Sequence, residues 1–162
     1  MDDRAREVYM KPITILLIED NVADARLMQE LTSSSTVPVK IKVAADADEA
    51  ERALADPRFI PDLIITDMHL PKLSADEFVQ RHGSLGIPWV VFSASTNPAN
   101  VKRALMLGAL EYVEKPMDLD AFSQALWQII WRWAMRGGGD AASPSPCPKP
   151  AHPAREIAGD KS

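Results

Sequence analysis

Five polar residues of this 162-residue chain could do chemistry together: Glu19, Asp20, Asp67, Ser93 and Lys115. Each stands at or just after the end of a short apolar run. Glu19 and Asp20 follow ITILLI, Asp67 follows LIIT, Ser93 follows WVVF, and Lys115, itself followed by Pro116, closely follows LEYV. Three carboxylates brought together repel one another and stay ionised at neutral pH only with a cation among them. Hard oxygen donors, few in number, suit Mg²⁺ better than a dedicated Ca²⁺ cage. With a hydroxyl and an ammonium nearby, such a group meets the needs of phosphoryl transfer. Metal and ammonium neutralise phosphoryl oxygens, the hydroxyl donates a hydrogen bond, and a carboxylate attacks in line. Taken singly, each residue has an ordinary explanation. An Asp after a strand is usually a turn or cap residue, Asp20 could cap a helix, and Lys-Pro is commonly a turn. Together and in order they are much harder to dismiss.

The elements that must position them are legible from the hydropathy pattern. Ile13–Ile18, Val39–Val43, Leu63–Thr66, Trp89–Phe92 and Leu110–Val113 are the strand candidates. Pro38, Pro61 and Pro88 closely precede three of them, as suits a strand's first residue or the turn before it. The first, third and fourth runs are apolar on both faces, which a buried parallel sheet demands. Between them lie helix signals over Asp24–Thr32, Asp46–Leu54, Ser74–His82 and Asn97–Leu107, the last ending at Gly108. Asp46 and Glu49 read as a capping box. A final helix runs from Asp118 to about Met135, with Leu119, Phe122, Leu126, Ile129, Ile130 and Trp133 at helical spacing. Five strand–helix units predict an α/β, flavodoxin-like, doubly wound five-stranded parallel sheet with five helices and right-handed crossovers. Open sheets of this kind place their sites at the carboxyl edge, where all five polar residues fall. Glu19, Asp20 and Asp67 share one pocket if the first strand neighbours the third.

Composition narrows the setting. A net charge of −5 with no clustered basic face argues against nucleic acid as a partner. The single cysteine, Cys147, cannot form an intramolecular disulfide, so nothing asks for an oxidising compartment. MDDRAREVYMKP has no apolar core of a secretory signal, and no apolar run approaches the ~18–20 residues of a membrane span. A cytoplasmic, membrane-free protein is expected. Residues 1–12 read as an amino-terminal extension and 13–136 as one domain. From Gly137 the chain continues GGGDAASPSPCPKPAHPAREIAGDKS, which has almost no large apolar residues to offset its ordering entropy and reads as a disordered tail over 137–162. The tail is too short for a helix-turn-helix unit.

The stretches ILLIEDN, IITDMHLP, VVFSAS and GALEYVEKP closely resemble the receiver domains of two-component response regulators. The resemblance covers Ile13 to about Trp133 and implies strand order 2-1-3-4-5. It implies that Asp67 is the phosphoacceptor, that Glu19, Asp20, Asp67 and the backbone carbonyl of His69 hold Mg²⁺, and that Ser93 and Lys115 contact the phosphoryl group. It further implies that Ser93 and Tyr112 form the switch, with Tyr112 rotating inward and the α4–β5–α5 face reshaped, and that the bond before Pro116 is cis. Ala75 stands where the family usually has glycine, and Ser93 where threonine is commoner. The stretch Glu19–Glu30 is similar to stand-alone receivers partnered with bacterial phytochrome histidine kinases, so a sensor histidine kinase of that type is the implied partner. No enzymatic activity beyond self-directed phosphotransfer and dephosphorylation is implied.

Trp127, Trp131 and Met135 form a second apolar stripe on the last helix, which suits either packing under a terminal segment or a homodimer interface. A phosphohydrolase on a similar sheet usually carries a second acid where this chain has His69, and a nucleotide-binding sheet needs a glycine-rich first loop where this chain has EDNVADAR. A degenerate receiver serving as a phosphorylation-independent docking scaffold is the other reading left open.

Overall fold

Alternating apolar side chains on β1 dictate two cores, one on each face of a single sheet. In the computed structural model, which describes residues 11–68 and 75–134, β1 (Ile13–Ile18) is buried at every position but Thr14. Ile13, Ile15 and Leu17 join Leu63, Ile65, Val90 and Phe92 on one face; Leu16, Ile18 and Ile64 line the other. This two-residue period is what a central parallel strand covered on both sides must show. The expectations for the His69 carbonyl, Met135, residues 1–10 and the tail 137–162 lie outside the described residues.

The elements follow as α1 (Val22–Ser33), β2 (Val39–Ala44), α2 (Ala47–Ala55), β3 (Leu63–Thr66), α3 (Ala75–His82), β4 (Trp89–Ser93), α4 (Pro98–Leu107), β5 (Tyr112–Glu114) and α5 (Leu119–Ile129). All strand pairs are parallel, in the order β2-β1-β3-β4-β5. The fold is therefore the flavodoxin-like one expected. Helices α1 and α5 cover the Ile15–Phe92 face through Ala25, Met28, Phe122, Leu126 and Ile129. Helix α2 and Phe78 of α3 cover the Leu16–Ile64 face, and Ala104 of α4 packs with Met68 and Val91. Residues of β2 alternate between half-buried and exposed until Ala44, as an edge strand's do.

Local chemistry accounts for most boundaries. The side chains of Asn21, Asp46, Asn97 and Asp118 accept backbone N–H bonds at the starts of α1, α2, α4 and α5. The first helix is thus capped by Asn21, not by Asp20. Asp46 accepts from Glu49 N at 2.9 Å, while the Glu49 carboxylate reaches back to Ala45 N at 2.7 Å, one residue earlier than a standard capping box. Gly108 ends α4 at φ 107°, a conformation that side chains with a Cβ rarely adopt.

Three details depart from expectation. Strand β5 begins at Tyr112, not Leu110; Leu110 and Glu111 already bond to β4 through Leu110 N to Trp89 O and Val91 N to Glu111 O, but Leu110 is largely exposed. The last helix changes at Ile130 into a π-helical turn, Ile130–Ala134. There Arg132 and Trp133 Nε1 both donate to the Glu111 carboxylate, the latter at 2.8 Å. Trp127 and Trp133 pack partly against the α1/α5 core, so the outward stripe is narrower than the spacing predicted and Trp131 is its half-buried centre. Finally, the Lys115–Pro116 bond is trans, not cis, and no cis bond occurs among the described residues. Trans is the lower isomer of an X–Pro bond by about 0.5–1 kcal/mol. In that isomer Lys115 N still bonds Ser93 O at 2.8 Å.

Candidate functional site

Strand register brings the predicted residues to one edge. Ile18 pairs with Thr66 and Asp67 N bonds Ile18 O at 3.1 Å, so Glu19 and Asp67 leave the sheet side by side. Ser93 pairs with Glu114, and the N–H of Lys115 bonds its carbonyl. The four residues arrive from β1, β3, β4 and β5.

Lys115 is the centre of the cluster. Its Nζ donates to Glu19 Oε2 at 2.5 Å, to Asp24 Oδ2 at 2.9 Å and to Asp67 Oδ2 at 3.4 Å. Both members of the closest pair are deeply buried, the Lys115 side chain 6% and the Glu19 side chain 1% exposed. The other Glu19 oxygen accepts from Asn21 N at 3.1 Å. Burial pushes the Glu19 carboxyl above its ordinary value, against the downward pull of the Lys115 ammonium. Burial would lower the Lys115 ammonium, but the Glu19 and Asp24 carboxylates outweigh it and hold it above its ordinary value. Lys115 is therefore a buried cation that exists as such because three carboxylates surround it.

On the other side of Asp67, Ser93 Oγ donates to Oδ1 at 3.1 Å and accepts from Ser95 N at 3.2 Å. Tyr112 is half-buried against Met68, Val91, Ala104 and Ala109, and its hydroxyl donates to Ser95 O at 2.7 Å. Hydroxyl, carboxylate and aromatic residue thus form one continuous path, Asp67–Ser93–Ser95–Tyr112.

The donor set suits a hard divalent cation, since Glu19, Asp20 and Asp67 offer carboxylate oxygens. Asp20 is exposed, while Glu19, Asp24 and Asp67 converge on the Lys115 ammonium. Lys115 stands where the carboxylates meet, so a cation held by Glu19 would compete with the ammonium for that carboxylate. Asp24 is the residue that sequence reasoning missed. It lies in the first turn of α1, where an acidic residue is unremarkable beside the helix dipole; its position five residues after Glu19, past one tight cap, was the available signal. A separate apolar cavity of about 370 Å³, lined by Phe78, His82, Pro88, Trp89 and Leu107, lies among α3, α4 and the start of β4, away from these groups.

Comparison with known proteins agrees with this fold. The response regulator receiver domain model matches residues 15–127. The phosphorylated cyanobacterial phytochrome response regulator RcpA is 31% identical, with a TM-score of 0.71 over 79% of this chain and 98% of that one. The Mn²⁺-bound response regulator Rcp1 is 28% identical, with a TM-score of 0.68 over 80% of this chain and all of that one. Among curated proteins, the two-component response regulator EHD1 of Oryza sativa subsp. indica is 26% identical over 94% of this chain and 44% of its own length. A protein-glutamate methylesterase/protein-glutamine glutaminase of Trichodesmium erythraeum is 31% identical over 74% of this chain and 35% of its own length. The chain thus spans less than half the length of these two curated relatives. No helix among the described residues is long and apolar enough to cross a membrane.

Proposed function

The chain belongs to the response regulator receiver family, and on that premise we propose that it accepts a phosphoryl group on Asp67 from a sensor histidine kinase. One observation carries the reading: the two oxygens of Asp67 face a hydroxyl at 3.1 Å and an ammonium at 3.4 Å at the carboxyl edge of the sheet. An Asp67 oxygen attacks phosphorus as the bond to the kinase imidazole breaks, and the imidazole leaves with the bonding pair. Mg²⁺ would be held by Glu19, Asp20, Asp67 and the carbonyl of His69, and would supply charge neutralisation for the transferring oxygens. Ser93 and Lys115 hold the acquired oxygens from either side. Catalysis is confined to the protein's own phosphorylation and dephosphorylation.

The similarity to RcpA, a cyanobacterial phytochrome response regulator, supports a kinase of the phytochrome type. The output is the α4–β5–α5 face, reached through Ser93, Ser95 and Tyr112. Phosphorylation draws Ser93 onto the phosphoryl group and biases Tyr112 through Ser95, a population shift rather than a new fold. A homodimer through the end of α5 rests on Trp131, whose replacement by Glu should then lower the sedimentation coefficient. Transfer from a purified phytochrome-type kinase carrying labelled phosphohistidine tests the main reading. Label should move to the wild type and not to Asp67→Asn; transfer to both would place the acceptor elsewhere.

A further inference from the structure

We propose that Asp24 is a positioning residue that holds Lys115 on the α1 side of the site and so competes with the phosphoryl group for its ammonium. This rests on Asp67 being the phosphoacceptor. Lys115 divides one positive charge among Glu19 at 2.5 Å, Asp24 at 2.9 Å and Asp67 at 3.4 Å, and its longest contact is the one to the acceptor. A cation held beside Asp67 by Glu19 would compete with Lys115 for that buried carboxylate. Asp24 is then the nearest group left to Lys115.

The two holds differ in kind. Glu19 is 1% exposed and cannot be left unpaired without a large penalty, whereas the Asp24 side chain is 31% exposed and is rehydrated when the ammonium departs. Asp24 is therefore a releasable hold. Its backbone is anchored by Asn21 Oδ1, which accepts from Asp24 N at 3.1 Å. A cavity of about 300 Å³ lined by Asp24, Leu27, Ala94, Lys115, Pro116 and Met117 gives the lysine room to swing. Removing the carboxylate leaves Lys115 nearer Asp67 and favours the phosphorylated form.

Beryllium trifluoride, a phosphoryl mimic, is titrated by calorimetry at saturating Mg²⁺ into the wild type, Asp24→Ala and the isosteric Asp24→Asn. The Lys115 ammonium is followed in parallel by NMR of ¹⁵N-lysine-labelled protein. Both variants should bind the mimic about two- to fivefold more tightly, the range a partly exposed ion pair contributes. In the free variants the Lys115 resonance should move toward its position in the wild-type complex. Tighter binding with that resonance unmoved would mean that Asp24 acts only as a nearby negative charge, and would overturn the proposal, as would equal or weaker binding. Failure of the wild type itself to bind the mimic would bring down the Asp67 reading and this one with it.

Discussion

Replacing Lys115 by methionine keeps a long apolar stem but takes the positive charge out of the carboxylate cluster. Glu19, 1% exposed, is left ionised without its ammonium. Removing one partner of a buried pair costs about 3–5 kcal/mol. The lower end applies, since Asp24 and Asp67 stay nearer water and Glu19 can relieve the burial by taking a proton. A loss of about 3 kcal/mol at neutral pH corresponds to a fall in Tm of roughly 6–12 °C, at about 2–4 °C per kcal/mol. The pH dependence has a definite sign. Burial already lifts the Glu19 carboxyl above its ordinary 4.5, and loss of the ammonium lifts it further. A carboxyl raised in the folded state contributes stability that is full below its unfolded value and is lost as pH rises through the folded one. The gap between variant and wild type should therefore widen from acid toward neutral pH. Thermal denaturation followed by circular dichroism between about pH 5 and pH 8, with and without Mg²⁺, reads this directly. Mg²⁺ should narrow the gap by replacing the lost charge, and adding Glu19→Gln to the variant should recover most of the loss. A Lys115→Met protein as stable as the wild type at every pH would refute the view that Lys115 neutralises a buried carboxylate.

Asp20→Asn should weaken Mg²⁺ binding by roughly tenfold or more in calorimetry, while stability stays within about 0.5 kcal/mol because Asp20 is exposed. Glu111→Gln removes the negative charge and one of the two oxygens that accept from Arg132 and Trp133 Nε1. It should cost about 1–2 kcal/mol in urea denaturation, discounted for the partly exposed Arg132, and shift tryptophan emission to the red. The wild type should also lose stability in strong alkali. Lys115 is held above its ordinary 10.5, so its contribution is full below that value and is lost as pH rises through the folded one; Lys115→Met should lack that loss.

The sheet was legible because burial on both faces writes continuous apolar runs at Ile13–Ile18, Leu63–Thr66 and Trp89–Ser93, while its strand order came from the family resemblance. Glu19, Asp67, Ser93 and Lys115 were legible for a related reason. Polar residues that end such runs have one place to go, the carboxyl edge. Asp24 escaped notice because an acid in a helix's first turn has a sufficient local explanation, and its distance to Lys115 spans 91 residues of sequence. Glu111 escaped notice for the same reason, standing as an ordinary charge within the strand candidate Leu110–Val113. The π-helical turn carries no sequence mark of its own, since its residues IWRWA continue the helical spacing of α5. The cis bond was inferred from resemblance alone, and the trans bond found instead still delivers Lys115 to the carboxylates.

Asp67 as phosphoacceptor is the claim on which the rest depends, and intact-mass analysis after incubation with acetyl phosphate and Mg²⁺ tests it most directly. The wild type should gain the mass of one phosphoryl group, Asp67→Asn should gain none, and omission of Mg²⁺ should suppress the gain. Equal labelling of both proteins, or none in the wild type, would contradict the account and favour a receiver fold that docks partners without phosphorylation.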